Sequence, residues 1–212
     1  MKQGLTEIVL VLDRSGSMAA TKDDAEGGLR TFVEKQKQVE GKAVLTFYRF
    51  DDAVERVFEA TDIQLVEPGQ LKLEPRNMTA LLDAMGRAID EVGDRLKKMH
   101  EDERPEKVIF VTVTDGMENA SRIYAREGIF NRIAKQRDIY KWDFVFIGAN
   151  QDAIATASSL GIGQKAAMTQ AATAQGTEAT YASLSSNVAH VRTSGGPYAW
   201  SQQDREDALK GN

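Results

Sequence analysis

The chain contains no cysteine. That excludes disulfide staples and thiolate metal sites, and it fits a reducing compartment. Histidine is almost as scarce: His100 and His190 stand far apart without the spacing of a histidine or carboxylate metal site, so surface or capping roles are expected of them. No apolar run approaches the roughly 20 residues of a membrane-spanning helix, and residues 1–4 lead into a strand-like run without the charged and apolar pattern of a leader. The expected location is cytoplasmic, where the glycosylation sequons at Asn77 and Asn119 would be idle. Basic charge is not in excess either, with 27 Lys and Arg against 32 Asp and Glu, interspersed. A net charge of -5 argues against a nucleic-acid surface and weakly favours cation binding. There is no Gly-x-x-x-x-Gly-Lys-Ser/Thr phosphate loop and no internal repeat.

What is present is one domain's worth of alternating patterns in 212 residues. β-branched and aromatic runs at 8–12, 44–50, 54–58, 108–113 and 144–147 predict strands. Helical periodicity occupies 24–39, 79–99, 122–137, 152–160 and 178–192. Alternation of this kind implies an α/β fold, a parallel sheet with helices on both faces. The short polar turn Phe50-Asp51-Asp52-Ala53 breaks the rhythm, so the 54–58 strand should run antiparallel at a sheet edge. In the second long helix Leu82, Met85, Ile89, Val92, Leu96 and Met99 form one apolar stripe, which is expected to be core. Ser194-Gly195-Gly196-Pro197 cannot continue the last helix. The domain is therefore drawn at 1–194, and the polar tail at 195–212, with Tyr198, Trp200 and Leu209 as its apolar residues, is expected to be mobile.

The chemistry concentrates where strands end. Asp13-Arg14-Ser15-Gly16-Ser17 follows the first strand, at the carboxyl edge where α/β sheets bind ligands. The alternate spacing of Asp13, Ser15 and Ser17 in a turning loop can aim three oxygen-bearing side chains into one pocket suited to a hard cation. Ordinary helix capping explains the same string equally well. Two further elements tip the balance: Asp115 in Thr114-Asp115-Gly116 ends the fourth strand, and Thr79 opens the long second helix. With the first and fourth strands adjacent, Asp13 and Asp115 would lie side by side, and their repulsion calls for a cation between them. Two carboxylates and three hydroxyls fill up to five of about six positions around Mg²⁺, leaving one for another ligand.

With these residues the sequence resembles the von Willebrand factor A domain family and its metal-ion-dependent adhesion site. That pattern is Asp-x-Ser-x-Ser after the first strand, a Thr in a second loop and an Asp, often in Thr-Asp-Gly, after the fourth. Asp13, Ser15, Ser17, Thr79 and Asp115 stand at those positions, and the resemblance spans residues 5–192. It looks nearest to stand-alone cytosolic A-domain proteins of bacteria and phages, from the segments at 9–18 and Phe146-Ile147-Gly148-Ala149-Asn150-Gln151-Asp152. The family commonly has Gly or another small residue before the Thr, whereas Met78 stands here, so the loop backbone must avoid glycine-only angles at that point, although Asn77 could take a left-handed conformation.

The resemblance implies a doubly wound, Rossmann-like three-layer sandwich. It implies bound Mg²⁺, or Mn²⁺ or Ca²⁺, and an open metal position that accepts a carboxylate from a partner protein. Arg14, Met18, Glu118 and Asn119 are expected at the rim, from adjacency alone. The partner could be an ATPase, a signalling component or another copy, and one version has Asp204, Glu206 or Asp207 of the tail entering the metal site. A magnesium-dependent hydrolase using Asp13 as nucleophile is the alternative, although Ser15 replaces the second carboxylate typical of that chemistry. The Gly161-Ile162-Gly163-Gln164-Lys165-Ala166 string matches a dinucleotide fingerprint but follows a helix, so a helix cap and turn are expected there.

Overall fold

A computed structural model describes residues 1–149 and 152–211. Its elements run β1 (Lys2–Asp13), α1 (Lys22–Lys37), β2 (Lys42–Phe50), β3 (Val54–Asp62), α2 (Leu81–Lys98), β4 (Pro105–Thr114), α3 (Arg126–Tyr140), β5 (Asp143–Ala149), α4 (Ala153–Ser159), β6 (Ala167–Gln170), α5 (Ala174–Ser194) and α6 (Gln202–Ala208). The sheet order is β3-β2-β1-β4-β5-β6. Every pairing is parallel except β2 with β3, so the antiparallel edge strand stands where the polar turn after Phe50 predicts it. That edge carries a bulge near Ala60, whose φ of 44° is left-handed, which twists it away from open pairing.

β1 is flanked by β2 and β4 and covered on both faces, which is why residues 8–12 form an uninterrupted apolar run. Ile8, Leu10 and Leu12 meet Leu29, Phe32 and Val33 of α1 and Leu184, Val188 and Val191 of α5. Val9 and Val11 face the opposite layer, where Met85, Ile89 and Val92 of α2 pack with Ile129 and Ile133 of α3. The α2 stripe is core as its period predicts, with Met99 partly buried at its end. Glu7, just before that run, is fully buried as well; it accepts from Thr46 Oγ1 (2.6 Å) and pairs with Arg95 of α2.

Several boundaries differ from the sequence expectation, each for a tertiary reason. α3 starts at Arg126 because the backbone N–H groups of Arg122, Ile123 and Tyr124 are held by the Asp83 carboxylate. β6 has only four residues, Ala-Met-Thr-Gln, and takes its pairing from β5, so nothing in its own composition announces a strand. Gly161 has φ 85° just past α4, the helix cap expected of it. Asn150 and Gln151, part of the family-like segment, lie outside the described residues.

The expected mobile tail is corrected. α5 does end at Gly195, with φ 75°, but Tyr198 and Trp200 turn back into the core and stack edge to face at 5.1 Å. α6 then climbs beside β6, with Ala171 N–H donating to Ala208 O (2.8 Å). Its carboxylates are spent locally: Asp204 caps Ser201 and accepts from Asn187, and Asp207 pairs with Lys210. Nothing in this packing brings Asp204 or Asp207 to the Asp13 site of the same copy.

Candidate metal centre

Parallel pairing of β1 with β4 brings two acidic strand ends together. The register aligns Leu12 with Val113, so Asp13 and the Thr114-Asp115-Gly116 loop leave the sheet side by side. The chain after Asp13 enters a 3-10 turn, Gly16–Ala20, with Ser15 at its N-cap position. Ser15 makes no side-chain cap bond there, so the capping explanation of the motif fails. The hydroxyl is turned toward Ser17 instead, Oγ to Oγ 3.0 Å.

The donors form a graded cluster. Asp13 is fully buried; its Oδ1 accepts from Ser15 N–H (2.6 Å) and its Oδ2 from Thr114 Oγ1 (2.6 Å). Ser17, exposed, donates to Asp115 Oδ1 at 2.5 Å. Thr79 lies in the loop just before α2, and is buried. Gly116 shows how closely these groups converge. A Cβ placed on it would stand 2.6 Å from Thr79 Oγ1 and 3.4 Å from both Asp13 Oδ2 and Ser15 Oγ. Three oxygens from two loops therefore surround one small space beside a third, which only a residue without a side chain leaves open.

Electrostatics point the same way. Burial pushes the Asp13 carboxyl above its ordinary range against the bonds from Thr114 and Ser15, and the nearby Asp115 charge adds to the rise. Asp115 is likewise raised, by burial, against its bond from Ser17. Among the described residues neither carboxylate makes an ion pair. A hard divalent cation fits this donor set, because it would supply the missing counter-charge and prefers oxygen. Among the described residues no three His, Cys, Asp or Glu side chains gather as metal ligands. The cluster consists of two carboxylates helped by neutral hydroxyls, so its formal charge matches that of one divalent ion.

All five expected ligand positions, Asp13, Ser15, Ser17, Thr79 and Asp115, gather at this edge, but the rim needs correction. Arg14, 2% exposed, is turned under the loop to Asp51 and Glu55, since a guanidinium is retained in the interior only by paired carboxylates. Met18, 4% exposed, belongs to the core beside α1. Glu118 is occupied by the N–H groups of Leu82, Ala120 and Ser121. Asn119 does stand next to the cluster, where its Oδ1 accepts from Thr79 N–H (2.9 Å) and its N–H donates to Thr79 O (3.0 Å). The exposed side chains flanking Thr79 and Gly116 are Met78 (49%) and Met117 (71%). Asn77 adopts φ 57°, the left-handed conformation open to it. Sequence reasoning missed Thr114 and Gly116 as working parts, although the Thr-Asp-Gly order contained both.

No family model and no curated protein sequence matches the chain. Solved structures do. A vWF domain of the type V pili tip protein Mfa5 from Porphyromonas gingivalis aligns with TM-score 0.64 and 12% identity, over 93% of this chain and 98% of that one. A von Willebrand factor type A protein from Catenulispora acidiphila aligns with TM-score 0.60 and 13% identity, over 86% of this chain and 42% of its own. Proximal thread matrix protein 1 from the mussel byssus, in a structure with a zinc-occupied MIDAS motif, aligns with TM-score 0.59 and 16% identity, over 94% of this chain and 48% of its own. The chain spans about half the length of the mussel protein. Identities of 12–16% establish likeness of fold.

Proposed function

We propose that this chain, built on a von Willebrand factor A type of fold, is a divalent-cation-dependent protein-interaction module. Asp13, Ser15, Ser17, Thr79 and Asp115 would hold the cation, Mg²⁺ or alternatively Mn²⁺ or Ca²⁺. The observation that carries this reading is the convergence of Thr79, Asp13 and Ser15 oxygens beside Gly116, next to two carboxylates without ion-pair partners among the described residues. When bound, the ion supplies an electrophilic position for a carboxylate of a partner protein. The chain's own residues divide the remaining work. Thr114 orients Asp13, Ser17 orients Asp115, and Met78 and Met117 offer apolar contact to whatever approaches.

The finer likeness, to cytosolic stand-alone proteins of bacteria or phages, belongs to the same proposal, as does an ATPase, signalling or self-partner. Among the described residues no helix is long and apolar enough to cross a membrane. For the hydrolase alternative the surroundings lend no support, since Arg14 is turned away from Asp13 toward Asp51 and Glu55.

Calorimetric titration with MgCl₂ and MnCl₂, followed by capture of host proteins in Mg²⁺ and in EDTA, tests the reading. Saturable cation binding lost in Asp13→Ala, and partners retained only by wild type in Mg²⁺, are expected. Identical partners in EDTA would sink the metal-dependent part. Phosphatase turnover in Mg²⁺ that disappears in Asp13→Asn would replace the module with the hydrolase.

A further inference from the structure

The loop that delivers Thr79 has no regular structure from residue 71 to 80, so its own backbone ladder does not fix where the hydroxyl points. Contacts from three neighbouring loops do: Asn119 holds the Thr79 backbone directly, at its N–H and its C=O, and two further loops brace the residues on either side. Arg76 N–H donates to Arg14 O (2.8 Å), Gly16 N–H donates to Asn77 O (3.1 Å), and Ala80 N–H donates to Asp51 O (2.7 Å). Thr79 is thereby pinned on both sides, three residues before and one after.

A buried carboxylate joins these pins. Asp51 is fully buried, at the β2–β3 turn; its Oδ2 accepts from Arg76 Nε (2.6 Å) and lies 3.2 Å from Arg14 Nε, while its Oδ1 accepts from Ala53 N–H (2.8 Å). Arg14 continues to Glu55 Oε2 (2.8 Å). Asp51 and Arg14 are the buried members of the set, so removing either leaves an uncompensated charge in the interior. It also solves a problem of charge. A guanidinium between Asp13 and Ser15 would oppose a cation, and pairing with Asp51 and Glu55 both neutralises it and draws it away.

We propose that Arg14, Asp51 and Arg76 form a clamp that positions Thr79 for the cation, with Asp51 the central positioning residue. The inference rests on the cation reading above and adds to it a route by which residues outside the donor cluster set cation affinity. Changes in the residues that orient metal ligands typically cost about ten- to a hundredfold in affinity.

Arg76 offers the discriminating test because its side chain is 55% exposed, so truncation leaves the core intact. Arg76→Ala removes a positive charge, and simple electrostatics would make Mg²⁺ bind more tightly. The clamp requires the reverse: calorimetry with MgCl₂ should show affinity falling about tenfold. Arg76→Lys, which keeps a cation opposite Asp51, should recover most of it. In a Thr79→Ala background Arg76→Ala should change nothing further, since a residue acting through Thr79 has nothing left to position. Asp51→Asn, checked for folding by circular dichroism, should repeat the loss. Unchanged or tighter binding in Arg76→Ala, or the same loss with Thr79 already truncated, overturns the clamp while leaving the cation site standing. Absence of Mg²⁺ and Mn²⁺ binding by wild type overturns both.

Discussion

At the scale of single residues, the candidate centre depends on what is absent at position 116 as much as on its donors. Thr79, Asp13 and Ser15 reach the same space only because Gly116 has no side chain, and an alanine methyl there would press on Thr79 Oγ1 at 2.6 Å. Gly116→Ala should therefore weaken Mg²⁺ affinity by about tenfold or more while leaving the far-ultraviolet dichroism unchanged. An unaltered calorimetric titration would show that Thr79 is not part of the centre. Asp13 illustrates how one residue can be legible in kind and hidden in context. Its position after an apolar strand marks it as a ligand-edge carboxylate from sequence, but its burial and its bond from Thr114, 101 positions away, belong to the fold.

At the scale of elements, strands and helices with strong internal patterns are readable, and those defined by a neighbour are not. α2 carries its own apolar stripe, and β1 its own β-branched run. β6 and α6 have neither: β6 is completed by β5, and α6 is held by a Ser201–Asp204 capping box and by Ala208 against Ala171. The apolar anchors of the tail, Tyr198 and Trp200, were visible in sequence, yet a pair of aromatics in a polar stretch does not show that a core has room for them. Because Trp200 is 6% exposed and packs in the α1–α5 layer, Trp200→Ala should cost about 3–5 kcal/mol in urea unfolding. Its backbone N–H bonds Lys165 O, before β6 begins, at the sheet edge opposite the donor cluster. Cation affinity should accordingly stay at the wild-type value. A loss below about 1 kcal/mol would return the tail to the periphery.

At the scale of the whole molecule, the centre is a junction of three loops, and a cation bound there would tie β1, β4 and the segment before α2 together. Binding to the folded state alone stabilises it by mass action, about 2.7 kcal/mol at a hundredfold excess over Kd. Thermal unfolding of wild type should therefore shift upward in Mg²⁺ and return in EDTA, with no shift for Asp13→Ala. Equal midpoints in Mg²⁺ and EDTA at saturating metal would contradict selective binding to the folded chain.

The sequence by itself determined the α/β class, the antiparallel edge and the set of candidate oxygen donors. Periodicity, turn chemistry and the spacing Asp-x-Ser-x-Ser are local properties, and each is readable within a window of a few residues. Only the tertiary structure decided how those donors are oriented and which neighbours serve them. It turned Arg14 and Met18 inward, gave Asn119 to the Thr79 backbone, made Asp51 a tie between two loops, and folded the tail onto the core. Side-chain direction at a loop is set by burial and by partners far along the chain. Arg14 bends away from Asp13 because Asp51 and Glu55, contributed by the β2–β3 hairpin, are there to receive it.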